Sequence, residues 1–121
     1  MKKMISNPYA YTNASDNYHY ALEVGKRLPE VEVYILTSVI FSYHYALDVV
    51  KGRWIEAEDV IMTDPMYSYL YAFKIIKGRL PEKMHNMMLL HHIKDPKDEA
   101  RHYFKLLENI DNGVVRWFDV G

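Results

Sequence analysis

Tyr43-His44-Tyr45-Ala46-Leu47-Asp48-Val49-Val50-Lys51-Gly52-Arg53-Trp54-Ile55-Glu56 returns as Tyr69-Leu70-Tyr71-Ala72-Phe73-Lys74-Ile75-Ile76-Lys77-Gly78-Arg79-Leu80-Pro81-Glu82, a gapless offset of 26 positions (43 to 69). Self-similarity at a short fixed period marks a repeat architecture. An earlier copy reads Tyr18-His19-Tyr20-Ala21-Leu22-Glu23-Val24-Gly25-Lys26-Arg27-Leu28-Pro29-Glu30 and is one residue shorter near Gly25. A degenerate half-copy follows at Arg101-His102-Tyr103-Phe104-Lys105-Leu106-Leu107-Glu108-Asn109, read at an offset of 31 (70 to 101).

Each copy has the period of an amphipathic helix. Tyr43, Ala46, Leu47 and Val50 fall at i, i+3, i+4 and i+7, as do Tyr69, Ala72, Phe73 and Ile76, and Ala100, Tyr103, Phe104 and Leu107. Tyr45 with Val49 and Tyr71 with Ile75 widen the apolar stripe. Tyr45, Leu47, Val50, Tyr71, Phe73 and Ile76 are therefore expected in the core, and Glu23, Asp48, Lys74 and Lys105 in water. Asn13, Ser38, Asp64 and Asp95 precede the helices and are good N-cap types. Gly52 and Gly78 stand where a left-handed residue ends a helix, with Asn109 in the last copy. These glycines are expected at positive φ. Shorter helices start near Pro29-Glu30, Ile55-Glu56 and Pro81-Glu82. They are read over Glu30–Leu36, Glu56–Met62 and Glu82–Ile93.

The expected fold is all-α: one domain over 1–121, about seven short helices in tandem hairpins stacked as a short α-solenoid, because a lone hairpin cannot bury its apolar face. The units run about 13–37, 38–63 and 64–94, with a half-unit at 95–109 and a tail at 110–121.

Eleven tyrosines among 121 residues are explained mostly by the repeat. Fifteen basic and sixteen acidic side chains leave a net charge of −1, which does not point to nucleic acid. No cysteine is present, so disulfides and thiolate metal sites are excluded and a cytoplasmic setting is compatible. The start, Met1-Lys2-Lys3-Met4-Ile5-Ser6, carries charge without the apolar run of a secretory signal. No run approaches the ~20 apolar residues of a membrane span.

The units resemble a short helical repeat of uncharacterised tailed-phage and other viral proteins, approximately Tyr-Ala-x-x-Val-Ile-Lys-Gly-Arg-Trp-Pro-Glu-Ala-Glu. The match runs through Tyr45-Ala46, Val49 to Trp54 and Glu56-Ala57-Glu58, and again through Tyr71-Ala72, Ile75 to Arg79 and Pro81-Glu82. It is weaker at Tyr20-Ala21 and Lys26 to Glu30, and covers roughly residues 13 to 109. The resemblance implies an architecture and a bacteriophage or other viral source, and brings no catalytic residue with it.

His85, His91 and His92 share a helix but lack the spacing of a chelating pair, so no metal or other cofactor is expected. His19 and His44 are placed to stack between units. Arg27, Arg53 and Arg79 recur with Glu30, Glu56 and Glu82, which suggests a structural ladder rather than a catalytic acid pair. Met84, Met87 and Met88 have the spacing of core residues. No catalytic residue is expected.

The function expected is a non-catalytic protein-binding module, a phage-encoded effector or inhibitor of a host protein in the host cytoplasm, or a self-associating chain. The alternative is a nucleic-acid-associated factor using the edge formed by Lys26, Arg27, Lys51, Arg53, Lys77 and Arg79, with tyrosines stacking on bases. Trp54 is the expected exposed anchor of the protein-binding face. Trp117 and Phe118 come second, in a tail that either caps the fold or docks on another chain.

Overall fold

A computed structural model describes residues 13–113. These residues are all-helical. In chain order the helices are α1 (Ala14–Val24), α2 (Pro29–Ile35), α3 (Val39–Tyr45), α4 (Ile55–Ile61), α5 (Pro65–Leu70), α6 (Glu82–Lys94) and α7 (Ala100–Asp111). Two of them do not stop where their α-geometry ends. α3 runs on as a π-helical segment, Ala46–Val50, and α5 as another, Tyr71–Ile76. No helix among the described residues is long and apolar enough to cross a membrane.

Local chemistry sets the boundaries. Asn13 accepts the Asp16 N–H at 2.7 Å, Ser38 accepts that of Phe41 at 3.2 Å, and Asp64 accepts those of Met66 and Tyr67 at 2.9 and 3.1 Å. Each capping oxygen satisfies a donor that the first helical turn leaves open. The fourth expected cap lies elsewhere. Asp95 accepts from Lys97 N in a turn, and α7 begins only after Glu99. The last stop moves too: α7 continues past Asn109 to Asp111, with Gly113 left-handed at φ 75. The tail read as starting at 110 thus loses its first two residues to the helix.

Helices α1, α3, α5 and α7 touch in series, while α2 packs on α1 and α3, α4 on α3, and α6 on α5 and α7. The core lies between these layers. Val31 and Ile35 of α2, Ala57 and Ile61 of α4, and Met84 and Met88 of α6 are buried there against Tyr45, Ala46, Tyr71, Ala72 and Tyr103. Met87 is only half-buried. Tyr45 and Tyr71 are wholly buried as expected, but Leu47, Val50, Phe73 and Ile76 are half-buried. In these two copies the i+4 and i+7 positions lie on the rim of the core, and Leu22, the i+4 residue of the first copy, is exposed as well.

The helix stops also differ from expectation. Lys51 (φ 60) and Lys77 (φ 55) are the left-handed residues, while Gly52 and Gly78 are not at positive φ. The one-residue length difference between copies explains this. In the first copy Gly25, at φ 86, closes an ordinary turn by donating to Ala21 O four residues back. The longer copies must absorb an extra residue. Lys51 donates to Ala46 O five residues back at 2.8 Å, and Lys77 does the same to Ala72 O at 2.7 Å. The inserted residue becomes a π turn, and the left-handed position falls on lysine.

Candidate functional site

The turns between paired helices are joined to the next unit by tyrosine. Tyr45 Oη accepts the Leu28 backbone N–H at 3.0 Å and donates to Glu32 at 2.6 Å. Arg27 grips the same carboxylate through two bonds of 2.9 Å. One period later, Tyr71 accepts the Trp54 N–H at 2.9 Å and donates to Glu58 at 2.8 Å, with Arg53 on Glu58 at 2.7 and 3.1 Å. Ser42 and Ser68 repeat as well, donating to Ile35 O and Ile61 O at 3.1 Å. Leu28 and Trp54 are the N-cap residues of α2 and α4 and have no side-chain cap, and Leu80 stands just before Pro81, the N-cap of α6, so at each place the tyrosine hydroxyl reaches a backbone donor that burial would otherwise strand.

The third junction keeps the tyrosine and changes the acid. Tyr103 accepts the Leu80 N–H at 3.0 Å, but Met84 stands at the carboxylate position and Tyr103 pairs instead with His85 Nδ1 at 2.7 Å. The true repeat offset is therefore 32 (71 to 103), one more than the sequence alignment placed. Burial, and then the charge of Arg79, hold the His85 imidazole below its ordinary value. The neutral ring can accept from Tyr103. At the first junction burial works to raise the Glu32 carboxyl, but hydrogen bonds from Arg27 and Tyr45 outweigh it and leave the group below the usual carboxylate range. Burial first, then the Glu32 bond, pushes Tyr45 up.

These junctions relocate several expected site residues. Trp54 is not an exposed anchor: it has no accessible surface, packs on the Tyr45 ring at 4.7 Å and lies under the Arg27 guanidinium at 5.9 Å. Its counterparts Leu28 and Leu80 are buried too, so the position points inward in every unit. Arg53 is held by Glu58, and the ladder partners are Glu32 and Glu58 rather than Glu30 and Glu56. Arg79, without a carboxylate at position 84, reaches Asp111 alone among the described residues, at 3.9 Å between two exposed groups. His19 and His44 both flank Tyr18 instead of each other, and Asp48 is not simply solvated but accepts the Tyr18 hydroxyl at 2.6 Å. Among the described residues no three His, Cys, Asp or Glu side chains gather as a metal-binding group. Trp117 and Phe118 lie outside the described residues.

Lys51 and Lys77 remain, and the structure brings them together. They line one open groove of about 460 Å³ with Leu47, Gly52, Lys74 and Ile75. The groove lies between the two π-turn ends, its rim cationic and its apolar lining Leu47 and Ile75. Non-glycine residues at positive φ store strain of order 1–3 kcal/mol, and such strain clusters at functional positions. Gly25 shows that the fold accepts glycine at this point of the turn. Gly52 has no steric need to be glycine either, since a Cβ there meets nothing within 4 Å.

Sequence reading missed Lys74, Leu47 and Ile75 as members of the groove, because helical periodicity assigns them to water or core and says nothing of a surface shared by two units. Glu32 and Glu58 were legible: they recur at the same period as Glu30 and Glu56. No protein-family model matches the chain, and no curated protein or solved structure matches it either.

Proposed function

We propose that this chain is a non-catalytic protein-binding module that captures its partner along the groove between its second and third units. The observation that carries this reading is the pair of strained lysines, Lys51 and Lys77, kept where glycine serves the first unit. A side chain retained at a conformational cost, and engaged in no ion pair among the described residues, is accounted for by something outside the fold. The resemblance of the repeat to viral proteins extends the reading to a phage-encoded effector or inhibitor acting on a host protein in the host cytoplasm.

The nucleic-acid reading loses two supports. Arg27 and Arg53 are neutralised by Glu32 and Glu58, which shortens the basic edge. Tyr45, Tyr71 and Tyr103 are buried with their hydroxyls engaged, so they offer no face for stacking bases. The test pairs a bacterial-lysate pull-down with gel shifts on single- and double-stranded DNA and RNA, comparing the natural chain with Lys51→Gly/Lys77→Gly. A protein retained by the natural chain and lost from the variant is expected. Salt-sensitive shifts beside an empty pull-down would install the nucleic-acid reading instead.

A further inference from the structure

Resting on that reading of the groove, we propose that its occupant is a short acidic peptide segment, with carboxylates on Lys51, Lys74 and Lys77 and an apolar side chain laid on Leu47 and Ile75. Among the described residues no carboxylate lines the groove. Among the described residues no ion pair engages the three lysines; Lys74 alone has a charge contact, over the Phe73 ring at 5.7 Å. Three like charges gathered without a counter-ion on two consecutive units repel one another, and an anionic segment crossing both units relieves that repulsion.

The geometry separates carboxylates from phosphates. A phosphate site in a left-handed turn is a nest of backbone N–H groups aimed outward. Here the N–H groups of Lys51 and Gly52 point inward to Ala46 O at 2.8 and 3.2 Å, and those of Lys77 and Gly78 to Ala72 O at 2.7 and 3.3 Å. Among the described residues no arginine fork lines the groove to grip a phosphate through paired bonds. What remains is separated point charges on flexible stems around an apolar lining, which suits single carboxylates spaced along a chain. Gly52 on the rim, with open space where a Cβ would stand, lets the backbone of such a segment come close.

The test uses the full chain and a fluorescein-labelled peptide of Asp, Glu and Leu flanked by glycines, read by anisotropy. Its amide counterpart (Asn and Gln), inorganic phosphate and a single-stranded DNA oligonucleotide are the comparisons. The informative variant is the exchange Lys51→Gly/Gly52→Lys. It keeps net charge and adopts the Gly25-Lys26 order of the first unit, and circular dichroism checks that it folds. The acidic peptide should bind, weaken with salt, and lose about tenfold in affinity in the exchange variant. Equal binding of the amide peptide, or binding of phosphate or DNA alone, would overturn the proposal. So would a concentration-dependent dimer abolished by the exchange, since the occupant would then be a second copy. Lysate capture that needs Lys51 and Lys77 but resists competition by the acidic peptide defeats this proposal and leaves the capture reading standing. Acidic-peptide binding with nothing captured does the reverse.

Discussion

One hydroxyl does three things at Tyr71: it satisfies the buried Trp54 N–H, bonds the Glu58 carboxylate, and through it orients Arg53. Tyr71→Phe removes the hydroxyl and keeps the ring. The buried N–H is left without a partner, so the expected loss is about 1–3 kcal/mol. Tyr45→Phe should match it, because Leu28, Glu32 and Arg27 repeat the arrangement. Tyr103→Phe should cost less, since its second partner is the neutral His85 rather than a charged carboxylate. Urea midpoints of the three variants check this order, and equal losses would show that the carboxylate adds nothing. The tyrosines were visible in the sequence as a periodic stripe. Their hydroxyl partners were not, because periodicity assigns a face and not the atom met across an interface.

Among the elements, the π turns join fold to site. Lys51→Gly or Lys77→Gly relieves left-handed strain of about 1–2 kcal/mol and adds about 0.4–1 kcal/mol of unfolded-chain entropy. Each variant should therefore melt at or slightly above the temperature of the natural chain while losing capture. A loss of stability would mean that the lysines serve the fold and not a partner. Deleting Val50 restores the spacing of the first unit, where seven positions separate Ala21 from Leu28 against eight between Ala46 and Trp54. That deletion should keep helical circular dichroism and cooperative melting, whereas deleting Ala57, fully buried in α4, should abolish both. The one-residue mismatch was legible from the aligned copies. Its absorption as a π turn was not, because glycine at 52 and 78 points to itself as the left-handed residue.

At the scale of the molecule, burial of titrating groups frames the stability curve. Glu32 sits below its ordinary value, so its contribution is complete above the unfolded pKa and is lost as pH falls through the folded one. His85 is also depressed: its contribution is complete above about pH 6.5 and declines as the unfolded chain takes up the proton first. Burial, then the Asp48 bond, raises Tyr18 to about 12, so the alkaline limb falls as pH rises from the ordinary tyrosine value of 10.0. Urea midpoints against pH should form a plateau between these limbs. His85→Gln, whose amide oxygen can accept from Tyr103, should remove the first step of the acid limb. An unchanged acid limb would assign that step to other groups.

The sequence alone determined the all-helical class, three of the four N-caps and the burial of Tyr45 and Tyr71, since these depend on neighbours within a turn or two. Only the tertiary structure decided that Trp54 is core, that Arg53 is paired, that the last unit is offset by one more residue, and that Lys51, Lys74 and Lys77 share a groove. Each of those facts depends on contact between residues from different units. A hydrophobic period places a side chain on a face of its own helix, but which groups meet it there is set by how the next hairpin packs, and that is resolved only when both are folded.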